Sequence, residues 1–321
     1  MKKLFLIILL CAIATPFFGY KWVEDYFYSA GISAEETIII QRGSGLNKIS
    51  NQLATEGIIK YPQVFRLYIK FFKDDKSLKA GEYAFPANAS PNNVYNIVKS
   101  GKVVMHKITF PEGITVYEAE QILLAEDKLT GGISESPEGI LLPDTYTFIL
   151  GEERIKIIGQ MQHAMTKFLD AEWEKRDKSI PLKTKEEALI LASIVEKETG
   201  LASERGRIAA VFTNRLRKKM RLQSDPTTIY GITLGKGKLE RKLLYKDLRK
   251  KTAYNTYAIK RLPPTPIANP SREAIIAVLN PPQTNELYFV ADGTGGHTFA
   301  KTMKEHERNV QRWRKIQRKN K

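Results

Sequence analysis

One cysteine occurs in 321 residues, Cys11, inside the first apolar run. Everything after residue 20 is therefore free of disulfides and of thiol chemistry. Histidine is scarce as well. His106, His163, His297 and His306 lie far apart with no His-Glu-x-x-His spacing, which argues against a zinc protease. No Gly-x-Ser-x-Gly elbow is present, so no α/β-hydrolase nucleophile is expected. Gly43-x-Gly45 lacks the third glycine of a dinucleotide loop. Neither a metal nor a cofactor is expected. Acidic residues are outnumbered: 35 Asp and Glu against 51 Lys and Arg leave a net charge of +16. Such a surplus points to an anionic neighbour, whether nucleic acid, lipid headgroups or an acidic polymer. Hydrophobic content of 42% and charged content of 27% are ordinary for a globular chain. The length allows two or three compact units.

The apolar run from Leu4 to Tyr20 follows Lys2-Lys3. As a helix it would be about 25 Å long, near the lower limit for crossing a bilayer. The two lysines favour a cytoplasmic N-terminus, with Tyr20 and Trp22 at the far interface. Residues 1–22 are therefore expected to be a single-pass anchor in the cell (inner) membrane. A signal peptide cleaved after Ala12-Ile13-Ala14 is the competing reading. A lipoprotein cysteine at Cys11 fits less well, because bulky Leu10 precedes it. In each case the rest of the chain is exported, to the periplasmic or extracellular side. Export disfavours nucleic acid as the partner and favours wall or lipid.

Val23 to Glu36 reads as a spacer. Thr37 to Ile40 is β-rich, and Leu46, Ile49 and Leu53 set the inner face of a helix. A second helix spans about Pro62 to Phe72, and Gly81 to Phe85 returns as a strand. Strand-helix-helix-strand over residues 36–105 is similar to a LysM module, a small glycan-binding unit. The rival reading is a plain spacer, since few aromatic residues mark a sugar groove here. Ser90 to Gly101 is a helix, Val103 to Phe110 a strand, and Val116 opens another helix, which suggests a weak second repeat. Residues 106–153 are expected to connect to a mostly helical α+β domain over 154–321. There, residues 154–178 form a long helix with a core stripe of Ile157, Met161, Met165 and Phe168. The tail from Glu305 to Lys321 reads as a basic helix.

The chain is organised around Glu187 to Thr199, a helix rich in apolar residues. Thr184 stands three residues before Glu187 and is placed to open it as a capping box; Gly200 is placed to end it. At about 100° per residue, Leu191, Ile194 and Val195 define one face, and Glu198 falls within it. Glu196 points roughly 160° away, so the two acids cannot share a site. An apolar setting disfavours the charged carboxylate and so keeps a transferable proton at neutral pH. The plainer reading is a last-turn glutamate in solvent.

The residues after Gly200 change that balance. Ser203 to Leu216 is a second amphipathic helix. Then come Met220 to Thr227 with Gln223-Ser224-Asp225-Pro226, Ala253-Tyr254-Asn255-Thr256-Tyr257, Leu262-Pro263-Pro264, Asn269-Pro270 and Tyr288 to Gly293. With Gly139 to Phe148 upstream, these ordered blocks resemble the YceG-like (MltG) family of endolytic murein transglycosylases. The match runs from about residue 185 to 306, and more loosely from 36 to 150. The resemblance implies an enzyme, a lyase of cell-wall biogenesis. It implies that the enzyme cuts the MurNAc-GlcNAc β-1,4 bond inside nascent peptidoglycan strands without water. The products carry 1,6-anhydroMurNAc ends, and the cutting limits strand length. Glu198 is the expected catalytic acid. Gln223, Ser224, Asp225, Tyr254, Asn255, Thr256 and Tyr257 are the expected substrate-binding residues, because aromatic rings suit sugar C–H faces and polar groups suit hydroxyls. Asp225-Pro226 also has a bland account as cap and first turn of a helix. The Asp292 to His297 glycine-rich stretch reads as a turn. Expected partners are glycan strands, the membrane and cell-wall synthases. The rivals are a non-catalytic glycan-binding scaffold and a hydrolytic muramidase using Asp225 as second carboxylate.

Overall fold

The computed structural model describes residues 2–31, 34–74, 76 and 78–319, with backbone alone for residues 2–13 and 319. The chain is α+β, and the described residues form three two-stranded sheets among many helices. It divides into two compact units, Met1–His106 with Thr147–Gly151, and Lys107–Tyr146 with Glu152–Lys321.

The first unit starts with helix α1 (Lys2–Tyr28), followed by β1 (Glu36–Ile40), α2 (Leu46–Thr55), α3 (Pro62–Phe72), β2 (Gly81–Phe85) and α4 (Pro91–Ser100). β1 and β2 pair antiparallel, with Ile38 opposite Tyr83 and Ile40 opposite Gly81. Their alternate side chains Ile38, Ile40, Tyr83 and Phe85 point inward, as a half-buried ladder requires. Ser90 caps α4 by accepting from the Asn93 amide at 3.2 Å. The helix ends on Gly101 in the left-handed conformation. The expected spacer is shorter than the sequence suggested. α1 runs on through Val23 to Tyr28 because Phe27 is needed in the core, where it stacks on Tyr68 at 3.9 Å between ring centroids. Among the described residues no helix is long and apolar enough to cross a membrane. The side chains of the expected anchor up to Ile13 lie outside the described ones.

β3 (His106–Thr109), α5 (Val116–Ala125) and β4 (Thr145–Phe148) come next. One helix separates these paired strands, so the second strand-helix-helix-strand pattern does not form. The C-terminal unit is then built from α6 (Arg154–Glu174), α7 (Lys185–Glu198), α8 (Ala202–Arg217), α9 (Asp225–Thr233), α10 (Tyr245–Arg249), α11 (Arg272–Leu279), the hairpin β5 (Tyr288–Ala291) and β6 (His297–Ala300), and α12 (Met303–Lys319). The last two residues of the expected basic tail lie outside the described ones. The core stripe of α6 is as expected: Ile157, Met161 and Met165 are buried and Phe168 packs against the core.

α7 is the axis of this unit. Thr184 opens it by accepting from the Glu187 amide at 3.2 Å. The return bond of a capping box is displaced by one residue: Glu187 accepts from the Lys183 amide at 2.5 Å. Glu186 and Glu187 in the first turn also suit the positive end of the helix dipole. Every residue from Ala188 to Val195 is buried, so α7 is enclosed by neighbouring elements on all sides. Each large apolar side chain there contributes roughly 1.5–3 kcal/mol by leaving water. The helix stops at Thr199, which is extended (φ −147°, ψ 137°), rather than through Gly200.

Candidate active site

Glu198, the last residue of α7, faces a cleft of about 420 Å³. Arg215 from α8, Gln223 and Asp225 from the entry to α9, Tyr257, Tyr288 and His297 share its wall. Of the residues expected to touch substrate, Gln223, Asp225 and Tyr257 thus join Glu198. Ser224 lies beneath them, buried. Ser224 rather than Asp225 occupies the cap position of α9, and Asp225 is its first residue, followed by Pro226. Gln223 holds a left-handed backbone (φ 53°), uncommon for a residue with a side chain, and its amide bonds to the Thr256 carbonyl at 3.3 Å.

Three expected binding residues have other roles. Asn255 is fully buried. Its Nδ2 donates to the Lys250, Leu248 and Asp247 carbonyls at 2.6, 3.0 and 3.3 Å. Its Oδ1 accepts from Thr228 Oγ1 and the Tyr257 amide, both at 3.0 Å. Thr256 is equally buried; its Oγ1 accepts from the Ser224 amide at 2.9 Å and meets Thr227 Oγ1 at 2.8 Å. These two side chains are out of a ligand's reach and instead fasten the 255–257 turn to the start of α9. Tyr254 packs its ring on Tyr230 at 4.9 Å and pairs its hydroxyl with Thr265 Oγ1 at 2.8 Å. It does not line the Glu198 cleft.

Burial pushes the Glu198 carboxyl up to about 7, and the nearby Asp225 adds to the rise. The Ser224 hydroxyl, His297 and Arg215 oppose it without cancelling it. Ser224 Oγ is buried with no partner at standard hydrogen-bond geometry, and it stands close enough to Glu198 to favour its charged form. Arg215 is itself buried; its Nε and Nη1 donate at 2.6 Å to the carbonyls of Leu287 and Leu222. Those bonds fix the guanidinium as a static positive charge behind the cleft. Tyr257 donates to Asp225 Oδ1 at 2.7 Å. Burial and that bond raise the tyrosine hydroxyl well above its usual value, so it stays a donor. The site therefore holds one proton-bearing carboxyl opposite a second carboxyl whose orientation is set.

Glu196 is turned away from this cleft, as the helix spacing requires. It is not in solvent either. Glu196 Oε2 accepts from the backbone amide of Ser271 at 2.9 Å and from its hydroxyl, at the start of α11. Arg205 Nη2 lies 3.7 Å from the other oxygen.

Several site residues were not found from sequence. Arg215 sits in an ordinary run of basic residues on α8. His297 lies at the end of a glycine-rich turn that does close as a hairpin, with Asp292 Oδ1 accepting from Thr294 and Gly296. Glu204 holds His297 Nδ1 at 2.8 Å and its backbone amide at 2.8 Å. A second carboxyl pushed up to about 7 by burial is Glu138. It accepts from the Val116 amide at 2.8 Å and from Tyr230 of α9 at 3.2 Å. It thereby braces the helix whose first residue is Asp225. The adjoining Gly139 (φ 87°) admits no side chain, since a Cβ there would stand 2.4 Å from Pro266. Among the described residues no group of His, Cys, Asp and Glu is placed to hold a metal ion.

Residues 38–312 match the family model described as the YceG-like family. The chain belongs to the YceG-like family. Curated relatives are named endolytic murein transglycosylases. The one from Bacillus subtilis is 30% identical, over 86% of this chain and 84% of its own. The one from Streptococcus pneumoniae D39 is 29% identical, over 95% of this chain and 64% of its own. A crystal structure of a yceG-like protein from Listeria monocytogenes shares 30% identity. It superposes with a TM-score of 0.55 and covers 85% of this chain and 98% of that one. The family match spans both units, so the YceG-like assignment does not rest on the Glu198 cleft alone.

Proposed function

We propose that this chain is a lytic transglycosylase that cleaves the MurNAc-GlcNAc β-1,4 bond inside peptidoglycan strands. The observation that carries the reading is Glu198, a carboxyl raised to about 7 by burial at the wall of a cleft of about 420 Å³. In the first step the Glu198 carboxyl gives its proton to the oxygen joining the two sugars, and the bond from that oxygen to C1 of MurNAc breaks. In the second step the Glu198 carboxylate takes the proton of the same sugar's C6 hydroxyl. O6 then bonds to C1, closing the 1,6-anhydro ring. The proton count returns to its start and no water enters. An intramolecular nucleophile also gains from its high effective concentration. Arg215 steadies the carboxylate between steps, and Gln223, Asp225 and Tyr257 hold the sugar. The relatives' names support this substrate and reaction class.

The test is product analysis of digested glycan by mass spectrometry. Anhydro ends made by the parent and lost in Glu198→Gln, with glycan still bound, support the proposal. Reducing ends would instead favour a muramidase, for which Asp225 across the cleft is the available second carboxyl. Unchanged glycan would leave a scaffold. The location belongs to the same proposal: Lys2-Lys3 and the apolar run support a single-pass anchor with the catalytic unit outside the cytoplasm, near nascent strands and the synthases that make them. A mature chain beginning at Thr15 would refute it. For the LysM-like reading of residues 36–105, support comes from the order strand, helix, helix, strand of β1, α2, α3 and β2, with β1 and β2 paired antiparallel. A cleft of about 760 Å³ is lined by Tyr61 together with Trp22 and Tyr26 of α1. Tyr61→Ala should weaken retention on long strands more than turnover of short ones.

A further inference from the structure

The first unit leaves an apolar face uncovered beside the helix that enters it. On α3, Leu67 and Phe71 are 56% and 72% exposed, and Phe72 is 56% exposed. Leu67 and Phe71 are four apart and share one side of the helix. Phe72 meets Tyr20 of α1 edge-on at 5.9 Å, and Phe17 and Phe18 one turn earlier are exposed too. Single exposed apolar residues are ordinary, but a contiguous aromatic patch marks an interaction surface.

The two helices also give this patch a direction. Phe72 lies against Tyr20, whereas Phe65 and Tyr68 lie against Phe27. α3 therefore runs back along α1, and its C-terminal end reaches the level of Tyr20, where the apolar run ends. Tyr20 to Phe27 is roughly 10 Å of helix, so Phe71 and Phe72 stand about that far nearer the apolar run than the unit's core does. Cationic residues neighbour the patch in sequence: Lys21 on α1, Arg66 and Lys70 on α3, and Lys73 just after it. Acids are interleaved with them along the chain: Glu24 and Asp25 on α1, and Asp74-Asp75 after α3, followed by Lys76. Aromatic rings bordered by long cationic side chains are what sits stably at the boundary of acyl chains and headgroups.

We propose that the C-terminal end of α3, with Phe17, Phe18 and Tyr20, rests on the surface of a lipid bilayer containing anionic headgroups, as a second membrane contact beside the N-terminal helix. The occupant is argued from continuity: the patch adjoins the one segment of the chain read as entering a membrane. This rests on the envelope-membrane reading above, but adds a surface of the folded unit to it. Two contacts fix the tilt of the first unit relative to the bilayer, which one helix alone leaves free.

The test uses the full chain with Cys11→Ser and a single introduced cysteine carrying an environment-sensitive fluorophore. The chain is reconstituted in vesicles of phosphatidylcholine and phosphatidylglycerol in equal parts. One label position is Phe71→Cys. The other is Ala87→Cys, exposed, in the turn before Ala89, whose carbonyl lies against Gly31 beyond the far end of α1. Both are surface positions, so neither change threatens folding. At position 71 the emission should shift to the blue and be quenched several-fold more than at 87 by lipids carrying a nitroxide near the headgroup. If the protein floats with the vesicles but position 71 emits as position 87 does, the surface faces water; the inference fails and the anchor stands. A blue shift at 71 without nitroxide quenching means that protein, such as a second copy, covers the patch, which also overturns it. A chain that does not float at all refutes both.

Discussion

Replacing Glu198 with glutamine should make the protein more stable at high pH and leave the difference at its baseline at low pH. The folded-state carboxyl is raised from 4.5 to about 7. Below pH 4.5 it is neutral in both folded and unfolded chains, and it contributes nothing to the pH dependence. Between 4.5 and 7 the unfolded chain loses this proton while the folded chain keeps it. The folded state then binds more protons, so parental stability falls as pH rises. One pKa unit corresponds to about 1.4 kcal/mol, so the full penalty is about 3 kcal/mol and is reached above pH 7. Glutamine has no such titration. Urea denaturation of both proteins, followed through Trp173 in the C-terminal core, should show the glutamine variant gaining about 3 kcal/mol relative to the parent between pH 4 and 8. The same titration should limit turnover, with kcat/KM falling as pH passes about 7, because the acid form is lost. A stability difference that stays flat across this range would refute the buried-acid account, and with it the choice of Glu198 as proton donor.

The packing sets further outcomes. Glu196→Gln should lower stability by roughly 2 kcal/mol, through its bonds to Ser271 and Arg205, yet still yield anhydro ends in product analysis. Asn255→Ala removes the side-chain amide whose two N–H groups serve the backbone carbonyls of Asp247, Leu248 and Lys250, and should cost about 3 kcal/mol by denaturant titration. Tyr257→Phe frees Asp225 and should reduce kcat/KM about tenfold with little change in melting temperature, measured on purified glycan. Loss of stability without loss of kcat/KM in that variant would remove Asp225 from the site.

Much of the architecture comes from local sequence. The N-cap at Thr184, the run of good helix formers after it, the alternation in β1 and β2 and the glycine stop of α4 are short-range rules, and chain segments obey them where packing agrees. The order of the blocks after residue 185 likewise carried the family. The apolar-face reading of α7 picked out Glu198, whose carboxyl is buried and raised, but for only part of the reason. The helix is buried on every side, and a 3.6-residue pattern cannot choose a face when all faces are apolar. What separates Glu198 from Glu196 is tertiary: one meets Ser224, Asp225 and Arg215, the other the start of α11 and Arg205. Asn255 and Thr256 have the composition of a sugar-binding loop, yet they turned inward because the backbone carbonyls after α10 and the amides before α9 needed partners. Arg215, His297 and Glu138 left no local signal, since their roles come from residues between 7 and 131 positions away. Sequence alone determined which segments become helices and that two glutamates on the last turn of α7 point apart. The fold alone decided which polar groups share its cleft, because burial and charge proximity are properties of the packed chain and not of any stretch of it.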